Sequence, residues 1–202
     1  MQTLDLSETA PRPENRLKNL FWPTVRTATD VDSLGAQGYW ICAIVAAVTG
    51  IDAVFTGQPI VGVLIVLLYY VGGVGVRQHS CAAAIIVFAF FLLGTVAGPI
   101  AGLFGIMFYV AKLIVCVILL SNVRATFVAS FWERGAAEAE MPARFNETWG
   151  DKFVDRFPAW LWPKVRIAYY IYGAIFMGLA TLGLAMIYIQ RYGLIPPRLL
   201  HR

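Results

Sequence analysis

Charge is what this sequence has least of. Only 14% of its 202 residues are charged, against 59% apolar and a mean hydropathy of +0.68. Water-soluble domains carry about 25% charged and 45–50% apolar residues, so an ordinary soluble fold is excluded. Histidine is nearly missing, with only His79 and His201. The three cysteines, Cys42, Cys81 and Cys116, each sit inside an apolar run with no pair at metal-ligand spacing. They read as small core residues. No histidine-ligated haem, metal centre or other cofactor is expected, and no Ser-His-Asp or Cys-His arrangement is discernible. A leader peptide is not expected either. The first apolar run starts only near Tyr39, and no small-residue cleavage pattern follows it. The net charge of +4 is spread over two polar regions that also hold the acids, which argues against a nucleic-acid partner.

Long apolar stretches are what the chain does have. They predict an all-α integral membrane protein with about five transmembrane helices and one or two interfacial amphipathic helices on the cytoplasmic side. Residues 1–38 are polar and form an N-terminal segment. Within it Leu17, Leu20, Phe21 and Val25 repeat at helical spacing beside Arg16, Lys18 and Arg26. A single membrane domain covers 39–190, with spans expected at about 39–56, 60–76, 81–97, 100–121 and 167–190. Thr56-Gly57-Gln58-Pro59 marks the first turn, and Pro59 is placed to open the second helix. The apolar run from Cys81 to Leu120 contains one charge, Lys112. As a single helix it would be about 60 Å long, twice the hydrocarbon core of about 30 Å. It therefore has to turn back, and Ala97-Gly98-Pro99 is the expected place. Residues 122–166 form the main polar loop, in which Trp149, Phe153, Val154 and Phe157 share a helical face. Residues 191–202 are the C-terminal tail.

Basic residues set the expected orientation. Arg12, Arg16, Lys18 and Arg26 precede the first span, Arg77 follows the second, and seven more lie between Arg124 and Arg166. Only Arg191, Arg198 and Arg202 fall on the other side. The positive-inside rule then puts the N-terminus in the cytoplasm of a plasma membrane of the bacterial inner-membrane type. All six tryptophans, Trp22, Trp40, Trp132, Trp149, Trp160 and Trp162, fall on that cytoplasmic side and are expected as interfacial anchors. Phe21-Trp22-Pro23-Thr24-Val25-Arg26 also resembles Leu161-Trp162-Pro163-Lys164-Val165-Arg166, each ahead of a span.

Two charges stand within spans, Asp52 near the outer end of the first and Lys112 near the middle of the fourth. Intramembrane charges cost about 2.5–3.5 kcal/mol on insertion scales and are functional candidates. An ion pair, an ion path, or Asp52 reaching the outer surface are the readings. Small residues are the other signal: Gly72 and Gly73, joined by Gly75, at the end of the second span; Gly98 and Gly102 at the fourth; and Ala174, Gly178, Thr181 and Ala185 along one face of the fifth. Gly72, Gly73 and Gly75 lack the following Lys-Ser/Thr of a phosphate loop. Glu133, Glu138, Glu140, Glu147, Asp151 and Asp155 read as a solvated loop surface.

Three functions fit these features. The first is a non-enzymatic accessory, scaffolding or assembly subunit, in contact with membrane lipids and with a second copy or a membrane-protein partner. The second is a small ion or solute transporter using Asp52 and Lys112. The third is a lipid-acting membrane enzyme drawing on the acids of the long loop.

Overall fold

A computed structural model describes residues 28–101, 106–132 and 149–191, with side-chain surroundings given for 31–97, 109–130 and 157–190. The described residues form five helices and no strand: α1 (Ala28–Phe55), α2 (Pro59–Arg77), α3 (Cys81–Ala101), α4 (Ile106–Trp132) and α5 (Trp149–Arg191). Four of them carry stretches long and apolar enough to cross a membrane, at Val31–Phe55, Pro59–Arg77, Tyr109–Ser130 and Phe157–Gln190. α3 is shorter in its described apolar part, Cys81–Ala97. The chain is an all-α membrane protein, as its composition predicts.

α1 packs along α2, and α4 touches both α3 and α1, while α5 lies against α2 and α3. One hydrophobic cluster joins Cys42 and Ala46 of α1, Leu68 and Tyr69 of α2, Val87 and Phe91 of α3, and Cys116 and Leu119 of α4. A second gathers Tyr39, Val74, Ala83, Trp162 and Tyr169 nearer the α2–α3 turn. Lipid tails are as apolar as leucine, so burial alone does not drive such helices together; close packing and interhelical hydrogen bonds do. Tyr172 Oη donates to the Leu64 carbonyl at 2.6 Å, which ties α5 to α2. The Ser80 and Tyr170 hydroxyls meet at 2.9 Å.

Helix boundaries depart from the hydropathy reading in three places. α1 starts at Ala28, well before the apolar run, because its polar first turns bury Val31, Leu34 and Gly38. α3 runs through Pro99 to Ala101, so this proline lies in its last turns rather than in a connection. A proline there cannot donate to the carbonyl four residues back, and the helix ends two residues further on. α5 joins the expected interfacial helix and the fifth span into one helix of 43 residues, across Pro158 and Pro163. At 1.5 Å per residue it is about 65 Å long, more than twice the hydrocarbon core, so part of it lies outside the apolar layer.

The expected helix around Leu17–Val25, Trp22, Gly102 and most of the long loop and tail lie outside the described residues. The surroundings of Gly98, Trp132 and Trp149 do too.

Candidate functional site

The two described helix–helix turns close with the same hydrogen bonds and different residues. At the end of α1, Gly57 N donates to Val54 O and Gln58 N to Ala53 O, with Gly57 at φ +72°. At the end of α2, His79 N donates to Val76 O and Ser80 N to Gly75 O, with His79 at φ +53°. Both are Schellman closures, whose left-handed residue is usually glycine. A Cβ makes that conformation costly by about 1–2 kcal/mol, although histidine tolerates it better than most residues. Ser80 then caps α3, its Oγ accepting from Ala83 N at 3.3 Å.

This strained turn sits beside the described buried ion pair. Arg77 Nη1 donates to Asp32 Oδ1 at 2.6 Å and to the Asp32 backbone carbonyl at 3.1 Å. The two side chains are only 6% and 13% exposed. Gly35, one helical turn after Asp32, makes room: a Cβ there would lie 3.4 Å from both Arg77 Nη1 and His79 Nε2. Gly38 does the same for α4, since its Cβ would fall 2.6 Å from Asn122 Oδ1 and 2.7 Å from Val76 Cγ1. From these contacts α1 runs back to Ala28 and α4 on to Trp132, each about 15 Å further.

α4 brings a buried polar stripe to the same end. Ser121, Asn122 and Thr126 are 1–2% exposed. Asn122 Nδ2 donates to Ile118 O at 3.0 Å, and Thr126 Oγ1 to Val123 O at 2.9 Å. Asn122 Oδ1 is buried on the Gly38 side and has no hydrogen-bond donor among the described residues. Chemically, the assembly is a clamp of charge and small residues that holds α1, α2 and α4 together. Among the described residues no group of three or more His, Cys, Asp or Glu is placed to hold a metal.

The two intramembrane charges expected from the sequence are not brought to each other. Asp52 is exposed, one turn before Thr56. Lys112 stands six residues into α4, and its Nζ donates to the Gly94 carbonyl of α3 at 3.3 Å. The small residues divide into two groups. Gly72 packs against Val87 and Tyr169, Gly73 has Cys42 Cβ within 2.7 Å of where its own Cβ would be, and Gly75 faces Trp162 and Ala83. Ala174, Gly178, Thr181 and Ala185 are all exposed on the outer face of α5, where the Thr181 hydroxyl bonds back to Met177 O. Among the tryptophans, Trp40 and Trp160 are 49% and 60% exposed, whereas Trp162 is buried between α2 and α3 at 7%.

Asp32, Gly35, Gly38, Asn122 and the role of Arg77 were missed by hydropathy. A signal for them existed in the spacing. Gly35, Tyr39, Cys42, Ala46 and Ala53 recur at three, four and seven residues and are all buried. That period runs unbroken across the polar boundary at residue 39 and would have extended α1 back to Asp32. Compared with known proteins, the chain matches no family model, no curated protein and no solved structure.

Proposed function

We propose that this protein is a non-enzymatic membrane subunit that assembles with a second copy or another membrane protein through the outer face of α5. The observation that carries this reading is where the small residues of α5 stand. Ala174, Gly178, Thr181 and Ala185 follow one helical face, all four are exposed, and nothing lies within 4 Å of where a Gly178 Cβ would be. A lipid-facing surface gains nothing from small side chains. A helix–helix contact gains close backbone approach.

The same reading places five spans in a plasma membrane of the bacterial inner-membrane type, with a cytoplasmic N-terminus. α3, with 21 residues, is about 31 Å long and matches the hydrocarbon core once counted with the other four. The concentration of arginine and lysine before α1, at the end of α2 and from Arg124 of α4 to Arg166 of α5 supports the orientation.

The test is the mass of the species extracted from its own membrane in a mild detergent, for the parent and for Gly178→Ile. A defined complex larger than the 22.3 kDa chain, lost in Gly178→Ile with the helix content intact, is the expected result. A parent that runs as a lone 22.3 kDa chain overturns the reading.

A further inference from the structure

On the side of α5 facing α2, a shallow cavity of about 190 Å³ is lined by Leu67 and Val71 of α2 and by Val165, Ala168, Tyr169 and Tyr172 of α5. Its walls are apolar. Of the two tyrosines in the lining, Tyr172 has its hydroxyl committed to the Leu64 carbonyl and Tyr169 has its hydroxyl buried against Gly72. Water entering such a groove would find too few polar partners to stay. The groove lies within two helices apolar enough to span a bilayer, so what lies alongside it is hydrocarbon.

At one end of the groove α5 carries Lys164, outside the lining itself. Lys164 is exposed and stands one helical turn before Ala168, on the flank of the face that lines the cavity. Its Nζ lies 3.9 Å above the centre of the Trp160 ring. Trp160 itself is 60% exposed, as an indole at the headgroup level would be. Neither wall supplies a carboxylate: 59–77 and 157–190 contain no aspartate or glutamate. Along α5, Lys164 to Tyr172 spans about 12 Å, which fits within one leaflet of the hydrocarbon core, about 15 Å deep. A cation at the rim with an apolar channel running inward is complementary to a molecule with an anionic head and a hydrocarbon tail.

We propose that this groove holds one anionic phospholipid, its phosphate at Lys164 beside Trp160 and an acyl chain laid between Val71 and Ala168. The lining residues of α5 face away from the small-residue stripe, and Lys164 stands about 15 Å before Ala174 along the helix, so the site stands whether or not the chain assembles through that stripe.

The experiment is native mass spectrometry of the detergent-purified protein titrated with phosphatidylglycerol or phosphatidylcholine of the same acyl chains. The parent, Lys164→Gln and Ala168→Phe are compared, with Arg166→Gln as a charge control and thermal melting as a check on folding. The parent is expected to retain one phosphatidylglycerol at least fivefold more readily than phosphatidylcholine. Lys164→Gln should remove that preference and leave phosphatidylcholine binding as it was. Ala168→Phe, which fills the groove, should reduce both, and Arg166→Gln should keep the preference. A parent without preference, or a preference that survives Lys164→Gln, or binding untouched by Ala168→Phe, overturns the proposal.

Discussion

Arg77, at the last turn of α2, grips Asp32 twice, once through its carboxylate and once through its backbone carbonyl, across 45 residues of sequence. The guanidinium thus adds a second bond to a helical carbonyl in the first turns of α1, where the helix has left the apolar run. Asp32→Asn or Arg77→Gln leaves one member of a buried pair without its counter-charge, a change that costs about 3–5 kcal/mol when the pair is fully buried. At 6% and 13% exposure the expected loss is about 3 kcal/mol. The double variant should lose clearly less than the sum of the singles. Thermal unfolding in one detergent, read as a double-mutant cycle, measures the coupling, and additive losses would count against the clamp.

Position 79 offers a second check. His79 holds a left-handed conformation that Gly57 holds in the other turn. His79→Ala keeps the Cβ and loses the ring beside Gly35, whereas His79→Gly loses the ring and relieves the backbone. The glycine variant should be the more stable of the two by about 1 kcal/mol. If alanine equals or exceeds glycine, the backbone strain has been misjudged.

Glycines on the two sides of the bundle should differ in their sensitivity to bulk. Gly75 faces the buried Trp162 ring, with Cη2 only 2.5 Å from where a Cβ would sit. Gly75→Leu should therefore unseat α5 and cost 2 kcal/mol or more, near the upper part of the range of about 1–3 kcal/mol for overpacking. Gly178→Leu has open space before it and should leave the melting temperature of the single chain within about two degrees. Melting curves of both variants, taken at a dilution where the parent is monomeric, decide the matter.

Lys112 gives a fourth prediction. Its hydrogen bond to the Gly94 carbonyl is long, 3.3 Å, and a bond of this kind in a membrane is worth about 0.6 kcal/mol. The cation itself costs about 2.5–3.5 kcal/mol at depth, less where it reaches toward the surface. Lys112→Met removes the bond and the cost of the cation together, so it should shift the melting temperature by only a few degrees. A larger loss of stability would mean that contacts beyond the Gly94 carbonyl make the ammonium a structural element of α4.

Much of the fold was legible because membrane insertion is a sum over single residues. The apolar runs, Pro59 at the start of α2 and the turn at Gly57 could each be placed without reference to any other part of the chain. Relations between distant residues were not legible in this way. Hydropathy cut α1 at Tyr39 because the preceding residues are polar, yet those residues are helical, held by an arginine 45 positions away. It cut α5 near its prolines, yet the helix continues through them. A proline removes one hydrogen bond, and whether the neighbouring turns survive that loss depends on what packs beside them, here the buried Pro158 and Trp162.

By itself, then, the sequence determined that the chain is helical and lies in a membrane, since transferring its apolar runs into hydrocarbon needs no knowledge of their neighbours. It also showed which residues are small. Only the tertiary structure decided that Gly72, Gly73 and Gly75 are covered while Ala174, Gly178, Thr181 and Ala185 are left open. The tertiary structure likewise decided that Asp32 and Arg77 form a buried charge pair. The physical reason is the same in both cases. Side chains in a bundle meet according to how helices are rotated and shifted against one another, and that rotation is a property of the whole packing, not of any one helix.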